Sequence, residues 1–111
     1  MFRLSKNGAV NVVHIAGPIN TENSDELTAF VCDSFSRGQP MTVLDLREVQ
    51  IIDSSGLESL CDLVAEHSRR GGQLKVATPS SLCRDIFQAT GIDSRFEVYD
   101  EVLQAVGSFL Q

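Results

Sequence analysis

Strand-like and helix-like segments alternate along nearly the whole chain, and this alternation limits the folds that are possible. Runs of β-branched and aliphatic residues, such as residues 10–15 and 41–46, are separated by segments with apolar residues every three or four positions. Asn7-Gly8 lies between the first two extended segments and predicts a tight hairpin. Because alternating strands and helices require crossover connections, we expect an α/β fold. Its sheet is predicted to be mixed and mainly parallel, with an N-terminal antiparallel hairpin and about four α-helices.

The sequence predicts where helices begin and end and which face of the second helix is buried. Arg37-Gly38 is predicted to end the first helix, and Thr78-Pro79 to begin the third. In the second helix, Leu63 lies opposite the apolar stripe, and His67 is predicted to be solvated. Leu63 is therefore a candidate exposed anchor for a partner. The predicted buried stripe consists of Leu57, Leu60, Cys61, Val64 and Ala65.

Length and charge restrict the classes of function. The 111 residues predict a single domain spanning 1–111. Nine Lys and Arg against fifteen Asp and Glu give a formal net charge of −6. This balance argues against a nucleic acid or an anionic membrane as partner, because both require clustered cations. The chain has neither a long apolar run nor a signal-peptide core, so we expect a cytoplasmic protein.

The sequence offers little material for catalysis. It contains no glycine-rich phosphate-binding motif, and its two histidines are too few and too far apart to predict a metal site. We therefore expect no metal and no cofactor. Ser54 lacks the Gly-x-Ser-x-Gly context of a nucleophile. His67 lies roughly 20 Å away along the same helix, at 1.5 Å per residue. His14 has no orienting acid nearby in sequence, so the protein is predicted not to be an enzyme.

The segment from Asp53 to Glu58 is the most informative part of the chain. Ser55-Gly56-Leu57-Glu58 has the capping-box form Ser-x-x-Glu. This form predicts that Ser55 caps the second helix and that Ser54 keeps a free hydroxyl just outside it.

Three landmarks give the chain a family resemblance, and they stand in the same order and at similar spacing as in the family. They are Ile52-Asp53-Ser54-Ser55-Gly56-Leu57, Gly17-Pro18-Ile19-Asn20, and Thr90-Gly91-Ile92 followed by Phe96-Glu97-Val98-Tyr99. Together they resemble the STAS domain of bacterial anti-sigma-factor antagonists.

The resemblance implies a STAS fold and a regulator that is not an enzyme. Such a regulator binds an anti-sigma factor, which is often also its serine kinase, and thereby frees a sigma factor. Phosphorylation of the serine after the motif aspartate, here Ser54, abolishes binding, and a PP2C-type phosphatase restores it. The implied partner-binding residues are Asn20, Asp53, Ser54, Ser55, Gly56, Leu57 and Glu58, to which the helical pattern adds Leu63.

Two residues depart from the family pattern. Asn20 stands where the family has Asp, and Glu58 stands where it often has Gly. Both departures bear on which partner is bound. Two alternatives remain open: a STAS domain that carries a nucleotide or lipid group at the helix N-terminus, and one that controls a non-transcriptional partner such as a transporter or a lipid-transport complex.

Overall fold

A five-stranded mixed sheet forms the centre of the molecule in the computed structural model, which describes residues 1–36 and 38–110. The strand order is β1-β2-β3-β4-β5, with β1 antiparallel to β2 and every other neighbouring pair parallel. This confirms the predicted mainly parallel sheet with an antiparallel hairpin at its edge. The strands are β1 (Phe2–Asn7), β2 (Val10–Ala16), β3 (Met41–Glu48), β4 (Gln73–Ala77) and β5 (Glu97–Tyr99).

Within the described residues, four α-helices connect or follow the strands, as the sequence predicts. A 3₁₀ turn over Ile92–Ser94 precedes β5. None of the helices in the described ranges is long and apolar enough to cross a membrane. The helices are α1 (Ser24–Asp33), α2 (Ser54–Arg69), α3 (Ser81–Thr90) and α4 (Val102–Ser108).

Helices cover both faces of the sheet. Successive strand residues point to opposite faces, so Val12 and Val13 belong to different apolar clusters. The larger cluster joins the sheet to α1, α2 and α3, and the smaller one joins it to α4. Each face of the sheet therefore has its own apolar core. The carboxyl ends of the parallel strands, and the loops that follow them, lie at one edge of the sheet.

The buried face of α2 differs from the predicted stripe. The helix packs against both the sheet and α1, and Ser59 Oγ donates a hydrogen bond to the Ser24 carbonyl at 3.2 Å. Leu63 and His67 are consequently 0% exposed, so the predictions of an exposed Leu63 and a solvated His67 are wrong. Ala65, predicted to be buried, is exposed. The buried residues of α2 are Gly56, Ser59, Leu60, Leu63 and His67.

Two predicted helix ends also differ. Helix α1 ends at Asp33, before the predicted Arg37-Gly38, and Arg37 lies outside the described residues. Helix α3 is capped by Ser80, whose hydroxyl accepts a hydrogen bond from the Cys83 amide at 3.1 Å. Thr78 is not a cap: its φ of 53° lies in the left-handed region, and its side chain bonds to another strand.

Candidate functional site

Two loops that follow β2 and β3 meet at the candidate site. A parallel bridge joins Ile19 to Ile52. The Ile19 amide donates to the Ile51 carbonyl at 3.1 Å, and the Asp53 amide donates to the Ile19 carbonyl at 3.1 Å. These bonds fix the Gly17-Asn20 landmark beside the start of α2, although more than thirty residues separate the two segments in sequence.

Asp53 caps α2. Its backbone is extended, and its carboxylate accepts a hydrogen bond from the Gly56 amide at 2.9 Å. Its carbonyl accepts the first helical bond, from the Leu57 amide at 2.9 Å. The predicted capping box of Ser55 and Glu58 is therefore wrong. The helix starts two residues earlier because a carboxylate is available to accept the amide of its third residue.

The two motif serines occupy the first two positions of α2 and differ in their contacts. Ser54 is exposed, and within residues 1–36 and 38–110 its hydroxyl forms no hydrogen bond. Ser55 is half-buried, and its hydroxyl lies 2.9 Å from the Thr21 hydroxyl. Ser54 carries the free hydroxyl, as predicted, but it is the first residue of α2 and does not lie outside the helix. The Ser55 hydroxyl is held by Thr21 and does not cap the helix.

Gly56 is buried between the two loops. A Cβ at this position would lie 2.6 Å from Ile52 Cγ2 and 2.8 Å from the Ile19 carbonyl oxygen. Real Cβ atoms essentially never approach other heavy atoms so closely. Gly56 therefore allows the close contact between the loop after β2 and the first turn of α2, and it is not presented to a partner.

Asn20 is half-buried and organises the loop before α1. Its side-chain oxygen accepts a hydrogen bond from the backbone amide of Glu22, and its backbone amide donates to Asn23 Oδ1, both at 2.9 Å. The Asn20 carbonyl accepts a bond from the Ser24 amide at 2.8 Å. This turn places Thr21 within hydrogen-bond distance of Ser55.

The remaining predicted site residues fall into two groups. Glu58 is exposed and Leu57 is half-buried, and both line a shallow cavity of about 340 Å³ between α2 and the loop after α3. Leu63 belongs to the core and cannot contact a partner, because α1 and the sheet enclose its face of α2. The other exposed or half-buried predicted residues lie together where the loop after β2 meets the start of α2; they are Asn20, Asp53, Ser54 and Ser55.

Sequence reasoning missed two residues of this surface. Thr21 completes the contact with Ser55, but an exposed threonine in a turn carries no signal of a partner 34 residues away. Ile51 is 48% exposed and lies two residues before the capping Asp53. Ile51 stands next to the buried Ile52 in sequence, and two adjacent isoleucines give no sign of which one is exposed.

The family model described as the STAS domain matches residues 2–105. The chain belongs to the STAS domain family. BtrV of Bordetella bronchiseptica, named as a proposed anti-sigma factor antagonist, is 29% identical over 96 residues, which cover 86% of this chain and 82% of BtrV.

Solved structures share the fold. The crystal structure of TM1081 of Thermotoga maritima, a proposed anti-sigma factor antagonist, has a TM-score of 0.92 at 22% identity and covers 99% of this chain and 95% of that one. The unphosphorylated form of the anti-sigma factor antagonist SpoIIAA has a TM-score of 0.73 at 16% identity and covers 99% and 97%. The relative in sequence and these two structural neighbours thus carry the same functional name.

Proposed function

We propose that this STAS domain is an anti-sigma-factor antagonist whose binding is switched by phosphorylation of Ser54. In this proposal the unphosphorylated form sequesters an anti-sigma factor that is also its serine kinase, and a sigma factor is released. A PP2C-type phosphatase reverses the modification. The observation that carries the proposal is the division of roles at the start of α2: Asp53 caps the helix, Ser55 is held by Thr21, and Ser54 alone presents an unengaged hydroxyl among the described residues of the motif.

The fold can accept a phosphate on Ser54. Ser54 is the first residue of a 16-residue helix. The first amide groups of a helix have no partner within it, and the helix dipole places partial positive charge there. The Asp53 carboxylate is already occupied by the Gly56 amide, so modification of the neighbouring hydroxyl breaks no bond of the cap.

The same phosphate would disrupt a protein contact at this surface. It adds about −1.5 to −2 charges at neutral pH. The exposed residues of the two joined segments include Glu22 in the loop before α1, Asp53 at the cap and Glu58 in α2, which add negative charge to this surface. A partner surface that fits neutral serines would have to bury this dianion, which costs several kcal/mol when it is unpaired. The modification therefore leaves the domain folded and removes its binding.

The proposed contact surface consists of exposed and half-buried residues around Ser54. The loop before α1 contributes Asn20, and the first turn of α2 contributes Asp53, Ser55, Leu57 and Glu58. Gly56 acts indirectly by allowing the two loops to pack. The apolar side chain of Ile51 and the neutral amide of Asn20 give this surface its own chemistry, on which the choice of partner depends.

The test uses the partner captured on immobilised protein, together with ATP. We expect uptake of one phosphate, which phosphopeptide mapping places on Ser54. Ser54→Ala should bind the partner but take up no phosphate. Ser54→Glu should remain folded and bind at least about tenfold more weakly, which corresponds to roughly 1.4 kcal/mol.

Ser81 provides the matched control, because it is also an exposed serine at the first position of a helix. Ser81→Glu should leave both binding and phosphate uptake unchanged. Phosphate on Ser55, or a Ser54→Glu variant that binds as tightly as the wild type, would refute the switch.

A further inference from the structure

A serine, a histidine and an aspartate are joined by hydrogen bonds on the sheet, away from the motif serines. Ser5 Oγ lies 3.0 Å from His14 Nε2, and His14 Nδ1 lies 2.7 Å from Asp45 Oδ2. We propose that these three residues form a nucleophile, base and acid that make Ser5 reactive toward small carboxylic esters. This proposal is independent of the switch at Ser54, and it departs from the prediction, made from the sequence, that the protein is not an enzyme.

Three adjacent strands position the group. Ser5 lies on β1, His14 on β2 and Asp45 on β3, where His14 and Asp45 are direct neighbours in the parallel register. Ser5 pairs with Val12, two residues before His14, so both side chains are on the same face of the sheet. Regular strand pairing therefore places the three side chains in line across the sheet.

The Asp45 carboxylate, which orients His14, is itself fixed by hydrogen bonds. Its second oxygen, Oδ1, accepts hydrogen bonds from Thr78 Oγ1 at 2.7 Å and from the Arg47 amide at 3.1 Å. Burial raises the pKa of the Asp45 carboxyl, but hydrogen bonds from Thr78, His14 and the Arg47 amide together hold it below its usual value. Thr78 has a φ of 53°, which is strained for a β-branched residue, and such strain is concentrated at functional sites.

The hydrogen bonds determine which ring nitrogen of the neutral His14 imidazole carries the hydrogen. An ionised Asp45 can only accept, so Nδ1 of His14 carries the hydrogen and donates it. In the neutral imidazole, Nε2 then has a lone pair directed at the Ser5 hydroxyl, which donates to it. This is the arrangement in which a histidine removes a proton from a serine nucleophile while a carboxylate orients the ring.

The group is partly open to solvent. Ser5 is half-buried, and the His14 side chain is 21% exposed and lines a cavity of about 220 Å³ whose walls include Phe2, Arg3 and Glu48 but not Ser5. Two backbone amides beside Ser5 are free to bind a substrate oxygen. Met1 and Ala16 exchange both of their backbone hydrogen bonds, so they are a hydrogen-bonded pair. Hydrogen-bonded and non-hydrogen-bonded pairs alternate along antiparallel strands, so the Leu4 and Lys6 amides on either side of Ser5 point to the open edge of β1, where they can donate to a carbonyl oxygen.

The proposed reaction is acyl transfer. Ser5 Oγ forms a bond to the ester carbonyl carbon, and its proton moves to His14 Nε2, giving an imidazolium stabilised by Asp45. The bond to the leaving alcohol then breaks, and that alcohol receives the proton from His14. The product is O-acyl-Ser5, which water activated by His14 hydrolyses to the free acid, regenerating the serine.

The full chain is treated with p-nitrophenyl acetate and quenched in acid before the acyl-serine can hydrolyse. A second sample is treated with a fluorophosphonate, and both are analysed by peptide mapping. We expect a single modification on Ser5. Ser5→Ala should abolish it, and His14→Gln should slow it at least about 100-fold, the usual scale for loss of a general base. Ser68→Ala, which removes an exposed serine from α2, is the matched control and should react like the wild type.

Removing only the charge of Asp45 separates its positioning role from a purely structural one. Asp45→Asn should keep the serine but lose most of its reactivity, because Asp45 acts by positioning the imidazole. If this variant does not fold, the His14→Gln comparison still decides.

Modification spread over lysines and the N-terminus would overturn the proposal. So would labelling of Ser5 at the same rate in the wild type and in His14→Gln.

Discussion

The Asp53 carboxylate accepts a hydrogen bond from the Gly56 amide at 2.9 Å and thereby closes the first turn of α2. Removal of this acceptor leaves the amide without its partner. We expect Asp53→Ala to lower the free energy of unfolding by about 0.5–2 kcal/mol, the range found for lost N-caps, as measured by urea denaturation. Asp53→Ser should retain most of the stability, because a serine hydroxyl also caps.

Glu58→Ala is the control for this prediction. Glu58 is exposed and, within the described part of the chain, forms no capping bond with Ser55. Its loss should change the free energy of unfolding by no more than about 0.5 kcal/mol. A larger effect of Glu58→Ala than of Asp53→Ala would mean that Ser55 and Glu58 form the cap after all.

Gly56 and Gly107 are both helical glycines, and they differ in how closely they are packed. A Cβ on Gly56 would lie 2.6 Å from Ile52 Cγ2, whereas a Cβ on Gly107 in α4 would meet nothing within 4 Å. We expect Gly56→Ala to cost about 1–3 kcal/mol through overpacking. Gly107→Ala should instead stabilise the protein by about 0.4–1 kcal/mol, because it restricts the unfolded chain. Thermal melts that rank the two variants in the opposite order would contradict this packing of the α2 start.

Leu60 and Leu63 lie on the same buried face of α2. Both are 0% exposed, so we expect Leu60→Ala and Leu63→Ala each to cost about 2–5 kcal/mol in urea denaturation. Leu103, which is 70% exposed on α4, is the control, and Leu103→Ala should change stability by no more than about 0.5 kcal/mol. A Leu63→Ala variant as stable as the wild type would restore the surface position that the helical pattern suggested.

The order of strands and helices could be predicted because it depends on local hydrophobic periodicity and turn residues. The position of Leu63 could not, because a helical pattern shows which residues are apolar but not how many sides of the helix are covered. Helix α2 contacts both the sheet and α1, and this wider contact buries Ser59 and His67 as well as leucines. Polar residues on a doubly covered face are misread as solvated when burial is inferred from hydrophobicity alone.

The candidate site was predictable where its residues are contiguous and unpredictable where they are not. Asp53 and Ser54 belong to one motif, but the contact of Ser55 with Thr21 depends on pairing between Ile19 and Ile52. The same limit hid the acid that orients His14. Asp45 lies 31 residues away in sequence and becomes its neighbour only through the parallel register of β2 and β3.

His67 is a buried neutral histidine. Its Nδ1 lies 2.6 Å from the Leu63 carbonyl and its Nε2 lies 2.7 Å from Thr42 Oγ1. The carbonyl can only accept, so Nδ1 donates its hydrogen and Nε2 accepts the Thr42 hydroxyl hydrogen. Burial lowers the pKa of His67 below its usual value of 6.5 and outweighs the opposing influence of the Leu63 carbonyl and Glu66.

This depressed pKa makes stability depend on pH in a defined direction. Below pH 6.5 the unfolded chain takes up a proton at His67 while the folded chain does not, so the unfolded state binds more protons and the free energy of unfolding falls as the pH falls. The loss of stability begins near pH 6.5, approaches a slope of about 1.4 kcal/mol per pH unit and ends at the lower pKa of the folded state.

Urea denaturation of the wild type and of His67→Gln from pH 8 to pH 5, about three units spanning the histidine range, measures this loss. The difference between the two curves removes contributions that both proteins share, including those of Asp45, Glu66 and Glu97, whose lowered pKa values place their effects in more acidic solution. We expect His67→Gln to be the less stable protein at pH 8 and the gap to narrow toward pH 5. A gap that stays constant would mean that His67 has the same proton affinity in the folded and unfolded states.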